Sequence, residues 1–264
     1  YLAASGDMAV KIVSVYGDNP KLGLPTVSAL VQVLDSKTGM PKALLEGDTL
    51  TALRTGAAGG LAADLLARKD ARRVALFGAG VQSRSQLEAV MAVRPIERVD
   101  IVDLNPDAAR ALADEVATWP DAPEVVVTTD VAAAVEAADI VAAATTSRNP
   151  LFDGYDLRPG THVTGVGAFT PEMQEIDPHT IGRARVVVDS REACLAEAGD
   201  IIAAGADIAA EIGEIVNGDQ PGRTDEDEIT FFKSVGIAAQ DAATAAAALA
   251  AAEAQGLGQV VDLG

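Results

Sequence analysis

The sequence is poor in the residues that most chemistry depends on. It holds one cysteine, two histidines and 3% aromatics. With Cys194 alone, an intramolecular disulfide is excluded, the chain suits a reducing compartment, and a cytoplasmic location is expected. His162 and His179 are too few for a His-based metal site or a hydrolytic triad, and no metal site is expected. His162 reads as the start of a buried strand and His179 as a loop residue after a proline. No apolar run reaches the roughly 18 residues of a membrane span, since even the alanine tract 242–252 is short and weakly hydrophobic. Basic residues are also few. Lys plus Arg total 20 against 39 Asp plus Glu, for a net charge of -19, which repels a phosphate backbone and argues against a nucleic-acid partner. Only 6 of the 20 are lysine. This acidic, lysine-poor, alanine-rich balance fits either a GC-rich genome or a protein made for a salt-rich cytoplasm.

What remains is a globular chain of 264 residues, 49% hydrophobic and 22% charged, whose core must be built from Ala, Val, Leu and Ile. Residues 8–16 and 26–34 alternate β-branched with small or polar positions, the strand period, and 41–45 continues as a third strand after the turn cluster 35–39. Asp48 is placed to N-cap a helix whose small residues Gly56, Ala57, Gly59 and Gly60 admit a second backbone. From residue 73 onward strands alternate with helices: 73–77, 99–103, 125–127, 140–144, 162–165 and 185–189. That pattern predicts an α/β fold with a parallel sheet. A polar, glycine-containing stretch ending in RTDEDE follows, then ITFFKSVG at 229–236 and an amphipathic C-terminal helix. The boundaries this reading favours are a sheet domain over 58–228 and a smaller α+β domain from 1–57 with 229–264. The opening at Tyr1, directly before a strand, leads us to expect a further N-terminal segment.

Gly78-Ala79-Gly80-Val81-Gln82-Ser83 follows an apolar strand and opens a helix. Gly78 can make the tight turn, and Gly80 can admit a pyrophosphate at the helix N-terminus. The third glycine of the usual fingerprint is replaced by Ser83. Asp103 ends the next strand, at the distance where a carboxylate accepts hydrogen bonds from adenosine ribose hydroxyls. It also repels a 2′-phosphate, and Leu104-Asn105-Pro106 brings no cation to offset that, so the cofactor expected is NAD or NADP with NAD favoured. Thr145 and Thr146 lie at the end of a later strand, where hydroxyls can reach ribose or nicotinamide. Lys11 interrupts an apolar strand and Arg54 sits mid-helix among small residues. Each needs an anion, either a substrate carboxylate or an internal Asp or Glu.

The ordered elements VKIVSVYGDNPKLGLPTV, GDTLTALRTGAAGG, FGAGVQS, VGAFTPEMQEID, VVVDSREACLAEAGDI and FKSVGIAAQDAA span nearly the whole chain. Together they resemble the ornithine cyclodeaminase and mu-crystallin family. The resemblance implies a Rossmann-type NAD(P) domain, a substrate-binding and dimerisation domain built from both chain ends, and a homodimer. It implies that Lys11 binds substrate and that Arg54 reaches both substrate carboxylate and cofactor phosphate; Lys11 is also the expected catalytic residue, since the proton an imine needs comes either from it or from a bound water. It further implies cofactor contacts at Thr26, Val81, Gln82, Asp103, Val166 and Ser234, with Val235 beside the substrate, and Thr55, Gly78 and Gly80 complete the expected cofactor contacts.

One departure bears on the reaction. The family's cyclodeaminases carry an aspartate in the loop after the VG element, where this sequence has Phe169, and a phenyl ring does no acid/base work. The wording GAFTPEMQEID followed by EAGD is similar to the reductase branch. The resemblance therefore implies NAD(P)H-dependent reduction of a cyclic 2-imino acid, with the small imino or amino acid as partner. The competing expectations are ornithine cyclodeamination, amino-acid dehydrogenation of the alanine dehydrogenase kind, and a non-catalytic mu-crystallin-like binding protein.

Overall fold

The structure, a computed structural model, describes residues 1–262. Three strands open the chain, β1 (Met8–Val15), β2 (Val27–Leu34) and β3 (Pro41–Glu46). Helix α1 (Gly47–Leu66) leads to β4 (Arg73–Phe77), α2 (Val81–Val93), β5 (Arg98–Val102), α3 (Pro106–Val116), β6 (Glu124–Val127), α4 (Val131–Ala137) and β7 (Ile140–Ala143). Then come β8 (His162–Gly165), α5 (Pro178–Arg183), β9 (Arg185–Val188), α6 (Arg191–Glu197), α7 (Gly199–Ala204), β10 (Ile208–Glu211) and α8 (Ile212–Val216). The last elements are β11 (Thr230–Lys233) and α9 (Ala238–Gln255). The chain divides into two compact units, Tyr1–Arg54 with the segment from Ile237 onward, and Thr55–Gly236.

The larger unit is an eight-stranded parallel sheet in the order β10-β9-β11-β8-β7-β4-β5-β6. Its strands are near-continuous apolar runs because helices cover both faces. One face is filled by Phe77, Val141, Val163, Val188 and Phe231, the other by Val74, Leu76, Val99, Ile101 and Ile140. Strand order reverses between β4 and β7, and at such a switch point the loops at the strands' carboxyl ends diverge and leave a crevice. The glycines of α1 serve close approach as expected: a Cβ on Gly56 would stand 2.5 Å from the Ser85 carbonyl oxygen of α2.

Two expectations are corrected in this region. The sequence pattern groups residues 229–236 with the smaller domain, yet β11 is an interior strand, paired with β8 and β9. Phe231 and Phe232 are fully buried on its two faces, so the apolar run ITFF belongs to the large core and the chain leaves that unit only at Ile237. In addition, Asp48 does not cap α1. Glu46 does, accepting from the amides of Asp48 (2.5 Å) and Thr49 (3.0 Å), while Asp48 Oδ1 accepts instead from the Ala29 amide. Glu46 reaches two of the helix's orphan donors, which frees Asp48 to tie α1 to β2.

The smaller unit holds the antiparallel sheet β1-β2-β3. Alternation puts Ala9, Val31, Val33, Ala43 and Leu45 on one face, where they pack with Leu50 of α1 and with Ala245 and Leu249 of α9. Val10, Ile12, Leu30 and Leu44 line the other face and are exposed.

Candidate cofactor and substrate sites

Lys11 is paired with Val31 in the β1–β2 register and Val31 with Leu45, so Lys11 shares the packed face of the small sheet. On α1 the core residue Leu50 is one turn before Arg54, and on α9 the core residue Ala245 is one turn after Asp241. Residues four apart lie on one helix face. The packing that buries Leu50 and Ala245 therefore brings Arg54 to Asp241. The Lys11 Nζ lies 3.1 Å from Asp241 Oδ1, and the Arg54 Nε lies 3.4 Å from the same oxygen. Arg54 Nη1 also donates to Gln240 Oε1 at 3.1 Å, and that oxygen accepts from the Ile237 amide at the start of α9. The side chains of Lys11, Arg54 and Asp241 are 11–12% exposed.

Of the two anions open to Lys11 and Arg54 from sequence, the internal carboxylate is present, and it is shared. Its identity escaped the sequence reading although Asp241 stands within the motif FKSVGIAAQDAA; an acidic residue one turn from a helix's buried stripe was the available signal. Two cations on one carboxylate keep a net positive charge, and the Arg54 Nε makes no hydrogen bond. The cluster can still accept an anionic group.

In the larger unit the turn after β4 has the geometry expected of a dinucleotide loop. Gly78 has φ +95°, and a Cβ there would lie 2.8 Å from the Ala144 carbonyl oxygen. Gly80 is the residue before α2, no side chain caps this helix, and a Cβ on Gly80 would meet nothing within 4 Å. An uncapped helix start with open space beside Gly80 is what a bound pyrophosphate requires. Nearby, Gln82 Oε1 and Ser83 Oγ are buried with no hydrogen-bond partner, and Val81 is exposed. The residues present fit a dinucleotide. Asp103 follows β5 and accepts from the Ala79 amide through Oδ2 (2.7 Å) and the Asn105 amide through Oδ1 (2.6 Å). It therefore shapes the glycine loop itself.

The other expected contacts of this unit lie at strand ends. The Val166 amide donates to Ala143 O, continuing the ladder from β8 to β7, and the Ser234 amide donates to Gly165 O. Thr145 Oγ1 accepts from the Ser147 amide, and Thr146 is exposed. Thr55 is buried, and its carbonyl accepts from Gln86 Nε2 on α2. Thr26 belongs to the smaller unit, immediately before β2, and its carbonyl receives the Tyr16 amide. Phe169 is 40% exposed in the loop after β8.

Sequence reasoning missed Asp189, at the end of β9. Its Oδ2 accepts from Ser234 Oγ (2.7 Å), the Val235 amide (3.0 Å) and the Gly236 amide (2.7 Å). Its Oδ1 accepts from the Ser190 amide and the Cys194 thiol. One carboxylate so fixes the whole Ser234-Val235-Gly236 segment. Burial, with Asp189 adjacent, pushes the Cys194 thiol up to about 12, which leaves it an inert donor. Among the described residues no group of three or more His, Cys, Asp or Glu could hold a metal ion, and no helix is long and apolar enough to cross a membrane.

The sequence profile of the Ornithine cyclodeaminase/mu-crystallin family matches residues 1–255. The chain belongs to this family. A Δ1-pyrroline-2-carboxylate reductase of Bacillus cereus is 38% identical over 97% of this chain and 80% of its own length. Among solved structures, the Thermococcus litoralis Δ1-pyrroline-2-carboxylate reductase in complex with NADH and L-proline is 44% identical with a TM-score of 0.95, covering 99% of this chain and 83% of that one. An archaeal alanine dehydrogenase dimer with bound NAD is 33% identical with a TM-score of 0.92, covering 98% and 82%. As a family member the chain has the expected α/β fold, and its neighbours carry an NAD-type cofactor.

Proposed function

We propose that this protein reduces a cyclic 2-imino acid of the Δ1-pyrroline-2-carboxylate type to the corresponding amino acid, using a reduced nicotinamide dinucleotide. The observation that carries the reading is the pair of cations, Lys11 and Arg54, gathered on a single carboxylate oxygen of Asp241 in a chain that also holds an uncapped, glycine-led helix. The cation pair suits a substrate carboxylate, and the helix start suits a pyrophosphate.

When bound, the reduced nicotinamide supplies a hydride for the C=N carbon. The chain's residues do the rest. The first amides of α2, with Gly78 and Gly80, hold the pyrophosphate; Asp103 accepts the adenosine ribose hydroxyls; and Thr145, Thr146, Val166 and Ser234 line the strand ends. Lys11 and Arg54 bind the substrate carboxylate. An imine accepts hydride well only when its nitrogen is protonated, and Lys11 Nζ–H is the donor assigned here. Asp103 makes NADH the preferred cofactor, because its charge opposes a 2′-phosphate and the neighbouring Leu104 and Asn105 offer no cation. The working form is a homodimer, for which the exposed apolar face of Val10, Ile12, Leu30 and Leu44 is available.

The cyclodeaminase alternative needs a carboxylate where Phe169 stands. The test is nicotinamide oxidation with pyrroline-2-carboxylate, piperideine-2-carboxylate, and pyruvate plus ammonia, alongside ornithine plus NAD. Turnover is expected with the cyclic imino acids and no proline from ornithine. Proline formation at a rate matching imine reduction, or turnover of pyruvate plus ammonia alone, overturns the proposal.

A further inference from the structure

Three charged side chains with no solvent exposure at all lie in the larger unit: Glu175, Asp200 and Lys233. None was singled out from sequence, and none belongs to the cation pair or the glycine loop. Full burial of three charges is costly unless every one is partnered, so their hydrogen bonds show what they hold in place.

Glu175 lies in the segment after β8. Its Oε1 accepts from the Thr145 amide at 2.5 Å, and its Oε2 accepts from the Gly167 amide at 2.6 Å. Thr145 begins two residues past the end of β7, and Gly167 two residues past the end of β8. One carboxylate therefore spans the two adjacent loops, one oxygen to each. The fit is close: a Cβ on Gly167 would stand 2.1 Å from the Thr145 carbonyl oxygen and 2.5 Å from Glu175 Oε1. Glu175 is itself fixed by its backbone. Asp200 Oδ1, in the first turn of α7, accepts from the amides of Glu175 (2.7 Å) and Ile176 (3.0 Å). The Glu175 carbonyl accepts from the Leu151 amide at 2.8 Å. Asp200 Oδ2 accepts from Lys233 Nζ at 3.1 Å, and Lys233 ends β11 immediately before Ser234. The network joins the carboxyl ends of β7, β8 and β11.

We propose that Glu175 is a positioning residue for the cofactor, setting the spacing of the Thr145 and Val166–Gly167 loops through its two oxygens, with Asp200 and Lys233 as its anchor. The inference rests on the dinucleotide part of the proposed function, since those loops are where a nicotinamide end is received. It does not depend on which imino acid is reduced. Burial raises the Glu175 carboxyl above the ordinary carboxylate range, opposed by the Lys233 ammonium and the Thr145 amide. Two backbone donors and a buried cation are the partners a charged carboxylate needs in such a place.

The test measures NADH dissociation by the fluorescence of the bound cofactor, independently of turnover, in full-length wild type, Glu175→Gln and Gly167→Ala. Glutamine keeps the volume but turns an N–H toward one of the two amides; alanine pries the same contact from the other side and leaves every charge in place. Both are expected to weaken NADH binding about tenfold, while the KM for the imino acid at saturating NADH stays within twofold. A folded variant of either kind with wild-type NADH affinity, or an equal loss in imino-acid KM, overturns the assignment. If neither variant folds, hydrogen exchange of the Thr145 and Gly167 amides in the wild type decides. Both should slow together when NADH is added, and unchanged exchange overturns the proposal. Wild-type protein that binds NADH but turns over no cyclic imino acid defeats the reductase reading and leaves this one standing.

Discussion

Asp241 Oδ1 stands 3.1 Å from Lys11 Nζ, joining α9 to the first strand of the chain across 230 residues of sequence. The same oxygen is 3.4 Å from Arg54 Nε, so removing its charge leaves two largely buried cations without their counter-ion. Asp241→Asn is expected to lower stability by about 3 to 5 kcal/mol, the range for breaking a buried pair by removing one partner. A small carboxylate ligand such as proline should then raise the melting temperature of Asp241→Asn by more than it raises that of wild type, because the ligand supplies the missing anion. Thermal melts with and without ligand check this. Equal shifts would place the carboxylate site away from Lys11 and Arg54.

Asp103 has two tasks. In the proposed function it accepts the ribose hydroxyls, and in the structure it holds the glycine loop by accepting from the Ala79 and Asn105 amides. Asp103→Ala removes the proposed ribose acceptor and is expected to weaken NADH binding by roughly one to two decades, on the basis of about 1.5–3 kcal/mol for one charge-assisted contact. Asp103→Asn keeps an acceptor for one amide and removes the charge. It should lose less NADH affinity while narrowing the NADH-to-NADPH ratio. Titration of both cofactors against both variants is the measurement, and an unaltered ratio in Asp103→Asn would remove this residue from cofactor choice.

Much of this was legible in the residues. The period-2 strands 8–16 and 26–34, the RVALF–GAG turn and the apolar β/α alternation carry strong local signals, and the structure has all of them within a residue or two. What sequence reading missed falls into two kinds. Strand β10 (Ile208–Glu211) and helices α6 to α8 are four to seven residues long and alanine- or glutamate-rich, too short for periodicity to speak. The run ITFF follows the polar stretch ending in RTDEDE and leads into the C-terminal helix, so its sequence context groups it with the smaller domain. Only pairing with β8 and β9, a contact remote in sequence, puts it mid-sheet. The site residues divide the same way. Gly78, Gly80 and Asp103 announce themselves by spacing along one βαβ unit, whereas Asp189 and Glu175 act through partners 20 or more residues away or through backbone amides, which leave no pattern in the sequence, and Asp241 leaves only an acidic position one turn from a buried stripe.

His162 sets a pH dependence of stability. It is fully buried between two hydroxyls, with Nδ1 2.9 Å from Thr230 Oγ1 and Nε2 3.0 Å from Thr164 Oγ1. Thr230 donates its own proton to Leu66 O, so the network assigns the ring proton to Nδ1 and leaves Nε2 to accept from Thr164. Burial, then the Arg223 and Arg94 charges, lower its pKa from 6.5 to about 3. The folded ring stays neutral where the unfolded one takes up a proton. Its contribution is present above about pH 6.5 and is lost as pH falls toward 3, at up to about 1.4 kcal/mol per pH unit. Denaturant melts of wild type and His162→Gln between pH 7 and 5 should differ in slope by nearly one proton. Comparison of the two chains cancels the opposite drift from Glu175, whose raised pKa favours folding as pH falls. Parallel slopes would mean that His162 is charged in the fold.

Salt should stabilise this protein, and the sign follows from competing magnitudes. Exposed ion pairs such as Lys21–Asp18 and Arg110–Asp107 lose strength on screening, but each is worth only about 0–1 kcal/mol. Against them stands a net charge of -19. Two like charges about 10 Å apart in water repel by roughly 0.4 kcal/mol, and an excess of 19 carboxylates forms many such pairs. Since the Debye length contracts from about 10 Å at 0.1 M to about 3 Å at 1 M, most of that repulsion disappears within this interval. The melting temperature is therefore expected to rise from about 0.1 to 1 M KCl and then level off as screening saturates. Self-association should strengthen over the same interval, because two copies of so acidic a chain repel at low salt. Melts and sedimentation across the series check both. A flat melting temperature would mean that the carboxylates are too far apart or too well paired to matter, and that the acidity carries no salt requirement.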